Sequence, residues 1–169
     1  DDIHLALPDG YERVAFQNAR GISRGEDPAC EVRGAMGEYD VGLFGIVEPN
    51  WAFTEDLKAT INATAQRSFG CGFASYASMK SNKPGYQPGG AMQMIRGSMV
   101  GRHISSGGDK YGRFTWVKLR GKNDNKLCII TAYRVSQEKV HQEVDATSNK
   151  IFWQQVRAFI RDGHQDPDP

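Results

Sequence analysis

Seven consecutive apolar positions, Val41 to Val47 in "YDVGLFGIVEPN", run straight into Glu48, Pro49 and Asn50. A run this short has no polar face to offer water. It reads as a strand covered on both sides, with protein layers above and below it. Its end is the second constraint. In open sheets ligands sit outside the strand ends, and this strand ends in a carboxylate.

The rest of the chain alternates strand and helix patterns. "ERVAFQNARGI" (12–22) reads as a strand in which Val14 and Phe16 alternate with Ala15 and Gln17, closed by Gly21. "GEDPACEVRGAMGEYD" reads as a short helix with Asp27 as N-cap and Pro28 as first helical residue. "TEDLKATINATAQRSF" (54–69) reads as a helix capped by Thr54 and stopped by Gly70, burying Leu57, Ile61, Ala65 and Phe69 as one stripe. "CGFASYASM" (71–79) is a strand, and 81–90 is a loop rich in proline and glycine. "AMQMIRG" and "VGRHISS" read as short strands around Gly97, with Met92, Met94 and Met99 in the core.

"GRFTWVKLRG" and "KLCIITAYRV" flank the polar turn "KNDN", the clearest hairpin in the chain. The second arm is the more apolar, so it is expected to be the more central. A last helix is expected over 145–163, with Ile151, Phe152, Val156, Phe159 and Ile160 sharing a face. This order predicts an α/β fold, a mixed sheet with helices layered on it, in one domain spanning 1–169.

Charge and cysteines narrow the function. The 21 basic and 20 acidic side chains leave a net charge of +1, so the chain as a whole is no polycation, although a local basic patch remains compatible with nucleic acid. Cys30, Cys71 and Cys128 form no C-x-x-C pair. That argues against a disulfide framework or a structural zinc site and for a reducing compartment. No apolar stretch is long enough to span a membrane, and "DDIHLALPDG" is acidic and broken by Pro8, unlike a signal peptide. An intracellular location, nuclear or cytoplasmic, is expected.

Two predicted strands end in oxygen-bearing side chains, Asn18 in "FQNARG" and Glu48. An amide oxygen and a carboxylate are hard ligands suited to Mg²⁺ or Mn²⁺. On residue type alone the plainer reading prevails, in which Asn18 closes a turn and Glu48 is solvated.

A resemblance shifts that balance. "VAFQNARGI", "YDVGLFGIVEPNWAF", "GG" at 89–90, "DKYGRFTWVKLRG" and "KLCIITAYRVS" occur in this order. Together they resemble the endonuclease/exonuclease/phosphatase superfamily, whose members share a deoxyribonuclease I-like α/β sandwich. Among its branches they are most similar to the one associated with reverse transcriptases of retroelements, and "SNKIFWQQ" fits that branch too. The resemblance implies a DNA endonuclease dependent on Mg²⁺ (or Mn²⁺), with DNA a better expectation than RNA. It implies Glu48 as metal-binding glutamate, Asn18 as support for the metal and phosphate, Tyr133 as active-site tyrosine and Arg134 as a phosphate contact. Arg113, with Arg96, Arg102 and Lys110, is a candidate for a phosphate-facing surface and equally for a solvated basic face. Trp51 and Phe53 are candidates to stack on a base or sugar, with a loop anchor the favoured reading.

The chain also departs from the family pattern. Val47 stands where a glutamine usually precedes the glutamate. The Asp-x-Asn strand and the C-terminal Asp-His pair have no counterpart, since "NDN" at 123–125 lies in a hairpin turn and His164 follows a predicted helix. The resemblance therefore implies a domain incomplete at its C-terminal end, weak or inactive as it stands. It leaves room for a non-catalytic binding or structural component of the same fold. It also leaves room for an enzyme completed by a second chain along the edge of the strand at 127–135 ("LCIITAYRV").

Overall fold

The apolar run forms a strand whose residues Val41 to Ile46 are all buried, and a sheet surrounds it. The structure, a computed structural model, describes residues 6–22, 29–78, 89–109, 111–133 and 149–161, with the side chains of 149–152 outside that description. Strands β1 (Arg13–Asn18), β2 (Val41–Val47), β3 (Gly72–Ala77) and β4 (Ala91–Arg96) make one mixed sheet in the order β1-β2-β4-β3. β1 and β2 are parallel, and the other two pairs are antiparallel. Strands β5 (His103–Gly108), β6 (Phe114–Arg120) and β7 (Lys126–Ala132) make a second, antiparallel sheet in that order.

Helices α1 (Cys30–Glu38) and α2 (Glu55–Phe69) cover the outer face of the first sheet. Val32, Met36, Phe44, Ile46, Ile61 and Met94 form the core between them. Thr54 caps α2 by accepting from the Leu57 amide at 3.3 Å, and Gly70 ends it at φ 66°. Both follow from the need to satisfy exposed helix-end groups. α3 (Ser98–Gly101) is a single turn joining the sheets. α4 (Asn149–Arg161) lies on the outer face of the second sheet, where Val156 and Phe159 pack against Phe114 and Trp116. Among the described residues the result is four layers: helices, sheet, sheet, helix.

Between the sheets, the packing changes character along the strands. At one end Leu43, Ile95, Val117 and Leu119 are wholly buried. At the other, the facing side chains are polar. Gln93 Nε2 donates to Thr131 Oγ1 at 2.8 Å and to the Ile129 carbonyl at 3.1 Å, and Ser75 and Thr115 share a hydroxyl hydrogen bond of 2.7 Å. Gly45 belongs to this layer, and a methyl group there would meet the Phe16 ring at 2.5 Å. The Thr131 hydroxyl and the Phe16 ring thus both fill the space over Gly45, on the side where a methyl group would project.

Several expectations need correction. β6, not β7, is the central strand of its sheet; β6 is buried through Leu119, whereas β7 is only half-buried and Leu127 is 48% exposed. The misreading has a cause: Thr115 points into the polar inter-sheet layer and Lys118 lies over the Trp116 ring, so polar letters sit at buried positions. "VGRHISS" is not one strand, because Val100 and Gly101 belong to α3 and β5 begins at His103. Ile160 does not share the buried face of α4 but is 54% exposed, whereas Ile151 and Phe152 fall outside the described side chains. Asp27 and Pro28 also lie outside the described residues; α1 is preceded by Ala29 at φ 70°, with no side-chain cap. Met92, Met94 and Met99 are buried as expected, and Cys128 is a half-buried thiol whose pKa burial pushes up.

The sheets differ in width, and that positions the site. Inter-sheet packing joins β5 to β3, β6 to β3 and β4, and β7 to β4 and β2. Among the described residues β1 has no comparable neighbour in the second sheet, and Phe16 is 58% exposed. No described helix is long and apolar enough to cross a membrane.

Candidate functional site

Asn18 and Val47 are register partners in the parallel pair β1–β2. Asn18 and Glu48 therefore come to the same end of one sheet, on adjacent strands. The chain beyond both strands is held by backbone bonds. The Ala19 amide donates to the Val47 carbonyl at 3.0 Å, and the Gly21 amide to the Glu48 carbonyl at 2.7 Å. Asn18 turns its own chain as well, since its Oδ1 accepts from the Arg20 amide at 3.0 Å. This is the side-chain turn that asparagine makes readily. Asn18 thus serves the turn reading while standing beside Glu48.

Glu48 itself is strained. It sits at φ 56° and Asn50 at φ 58°, a left-handed region that costs a non-glycine residue roughly 1–3 kcal/mol. Gly89 and Gly90 hold that backbone in place. The Glu48 amide donates to the Gly90 carbonyl at 3.1 Å, and the Asn50 amide to the Gly89 carbonyl at 3.0 Å. The Gly89 amide returns a bond of 2.7 Å to Asn50 Oδ1. Each such bond contributes about 0.5–1.5 kcal/mol, so together they offset the strain. A methyl group on Gly90 would lie 3.0 Å from the Ala77 carbonyl oxygen, so that close approach favours glycine.

Tyr133 reaches this turn from the other sheet. It follows β7 directly, is buried, packs on Val47, and donates its hydroxyl to Glu48 Oε1. Its amide donates to the Arg113 carbonyl at 2.6 Å. Two residues 85 positions apart thus meet where the sheets' polar layer reaches the surface. Alongside runs an open cleft of about 490 Å³, whose walls include Phe16, Asn18, Gly45, Val47, Thr131 and Ala132.

Arg113 and Trp51 are not placed to meet a substrate; for Trp51 that is the favoured loop-anchor reading, whereas the burial of Arg113 fits neither a phosphate-facing surface nor a solvated face. Arg113 is 0% exposed. Its Nε and Nη2 both donate to Asp109 Oδ2 at 3.1 Å, so the guanidinium is taken up inside the protein instead of lining a phosphate-facing surface. Trp51 is 2% exposed, its indole N–H bonds the Ile22 carbonyl at 3.2 Å, and its ring meets Phe53 edge-on at 5.9 Å. It anchors the loop, and no base can stack on it there. Arg96 pairs with Asp40 and with the Val41 carbonyl, and Arg102 bonds the Arg120 carbonyl. Arg134, Lys110 and His164 lie outside the described residues.

No cluster of three or more His, Cys, Asp or Glu side chains suited to a metal ion occurs among the described residues. The strand register brings the Glu48 carboxylate and the Asn18 amide to the same end of the sheet. The pairing of Asp109 with Arg113 was not foreseen; the signal for it was an acid and a base flanking a glycine-containing turn, "DKYGR".

No protein-family model matches the chain, and no curated protein matches it.

Proposed function

We propose that this domain is a metal-dependent phosphodiesterase of the deoxyribonuclease I-like type, a retroelement-style endonuclease acting on nucleic acid, DNA before RNA. The observation that carries the reading is the Tyr133–Glu48 contact: two motifs far apart in sequence converge at the strand ends. The layering of two sheets between helices and the strain retained at Glu48 support it.

The donor set fits one hard cation. Mg²⁺ keeps most of its waters and needs only one or two carboxylates from protein. Glu48 would be the anionic ligand, and Asn18 would offer an amide oxygen from the next strand. When bound, Mg²⁺ (or Mn²⁺) supplies the charge that polarises a phosphodiester and stabilises its leaving oxygen. Tyr133 orients the carboxylate through its hydroxyl, the kind of outer support that sets ligand geometry. Val47 stands where the resembling family has glutamine and packs on Tyr133, so orientation of Glu48 falls to the tyrosine. Calorimetric titration with Mg²⁺ tests this reading. One saturable site is expected, and no binding contradicts it.

A non-catalytic role with a partner polypeptide is the second reading, and the edge of β7 favours it. Tyr133 donates its amide toward β6, so by alternation Ile129 and Thr131 do likewise. Cys128, Ile130 and Ala132 then direct their amides to the side of β7 on which no described strand pairs. An unpaired edge of this kind invites another strand. Hydrogen exchange on the isolated chain is expected to alternate, slow at Ile129 and Thr131 and fast at Cys128, Ile130 and Ala132. Uniform protection in a dilute monomer contradicts an open edge.

A further inference from the structure

Asp109 and Arg113 form a buried charge pair that the proposed chemistry does not use. The Arg113 guanidinium is fully enclosed, and the Asp109 side chain is 8% exposed. One Asp109 oxygen takes both guanidinium bonds; the other accepts the Arg113 amide at 2.5 Å and the Phe114 amide at 3.3 Å. The Asp109 amide donates to the Phe114 carbonyl at 2.9 Å, and the Gly112 amide to the Asp109 carbonyl at 3.1 Å. The β5–β6 turn is therefore cross-braced through a single carboxylate.

Such a brace is not explained by stability. Burying two charges costs about as much as their attraction returns, and apolar replacements of similar volume are often tolerated equally well. What the brace does is fix the backbone of Arg113. The Arg113 carbonyl accepts the Tyr133 amide at 2.6 Å, and the Tyr133 hydroxyl meets Glu48. This backbone bond ties Tyr133 to the β5–β6 turn. Arg113 also lies 4.7 Å under the Tyr111 ring, which closes the turn over the pair.

We infer that Asp109 and Arg113 are positioning residues: their buried pair sets the Arg113 carbonyl, which places Tyr133 so that its hydroxyl orients the Glu48 carboxylate. The inference deepens the metal-site reading but does not depend on metal being bound. Its prediction concerns the Tyr133–Glu48 hydrogen bond, which itself involves no ion.

The test is the exchange rate of the Tyr133 hydroxyl proton, measured by NMR on the metal-free chain. In Asp109→Asn the charge is lost while the side chain keeps its shape. Exchange at Tyr133 is expected to rise at least about tenfold, while the amides of Val117 and Leu119, at the apolar end of β6, keep their protection. Arg113→Lys, which retains charge but loses the paired donors, is expected to fall between wild type and Asp109→Asn. The double variant Asp109→Leu/Arg113→Met replaces both charges with apolar groups and covers the case in which a single variant fails to fold. If it folds with Val117 and Leu119 protected, fast Tyr133 exchange supports the inference. Wild-type Tyr133 exchange in any folded variant lacking the pair overturns it. A separate Mg²⁺ titration keeps the outcomes apart: failure of the wild type to bind metal sinks the metal-site reading and leaves this positioning result standing.

Discussion

Glu48→Gln is expected to lower Mg²⁺ affinity by more than about a hundredfold, to the point where calorimetry detects no site. Glu48 is the carboxylate of the proposed pair, and a hard cation gains little from a neutral amide in its place. The fold is expected to survive. The bonds that hold the strained turn involve the Glu48 backbone and the two glycines at 89 and 90, and the substitution leaves them intact. Tyr133→Phe gives the graded control. It removes the hydroxyl that orients the carboxylate but no ligand, and outer-shell losses of that kind cost about 10–100-fold. Unchanged Mg²⁺ affinity in Glu48→Gln, with the fold intact, contradicts the assignment of the site.

The 169-residue chain itself is expected to be a poor nuclease. It carries the glutamate, asparagine and tyrosine of the resembling pattern. No aspartate and histidine in that pattern's spacing are there to position water and meet the scissile phosphate. Acid–base assistance contributes about 10²–10⁴-fold, and one lost charge-stabilising donor costs about 10²–10³-fold. Nicking of supercoiled plasmid is therefore expected to be at least several hundredfold slower than a complete set of groups would give, and to vanish with EDTA. Rapid Mg²⁺-dependent nicking by this chain contradicts the expectation. It would mean that groups such as His164, Asp166 or Asp168 take those roles.

Much of the fold was legible because local signals and burial agreed. The run at Val41–Val47 had to be covered on both faces, and Thr54 and Gly70 bound α2 where capping chemistry places them. Sheet membership was not legible. Gly97 and a single helical turn carry the chain from one sheet to the other, and no local pattern distinguishes that from a tight hairpin. The order of β6 and β7 was misjudged because hydrophobicity was taken as centrality. In this sandwich the polar layer of Gln93, Ser75, Thr115 and Thr131 lies inside, so a central strand carries polar residues.

The site divides in the same way. Glu48 and Asn18 stand at strand ends, where periodicity alone marks them. Tyr133 was legible only through the resemblance, since nothing local says that a tyrosine after one sheet will meet a glutamate after another. Arg113 shows the converse error. A basic residue beside a turn reads as surface charge, and only the fold reveals Asp109 folded back onto it.

Paramagnetic broadening by Mn²⁺ tests the central claim most directly, because it locates the ion without requiring catalysis. With Mn²⁺ added to the nitrogen-15-labelled chain at substoichiometric ratio, the account predicts that the amides of Asn18, Glu48, Ala132 and Tyr133 broaden first. Those of Leu119, Lys126 and Leu127, at the far end of the second sheet, are predicted to stay sharp. Broadening centred elsewhere, or none at these four residues, contradicts a metal site at the meeting of β1, β2 and β7.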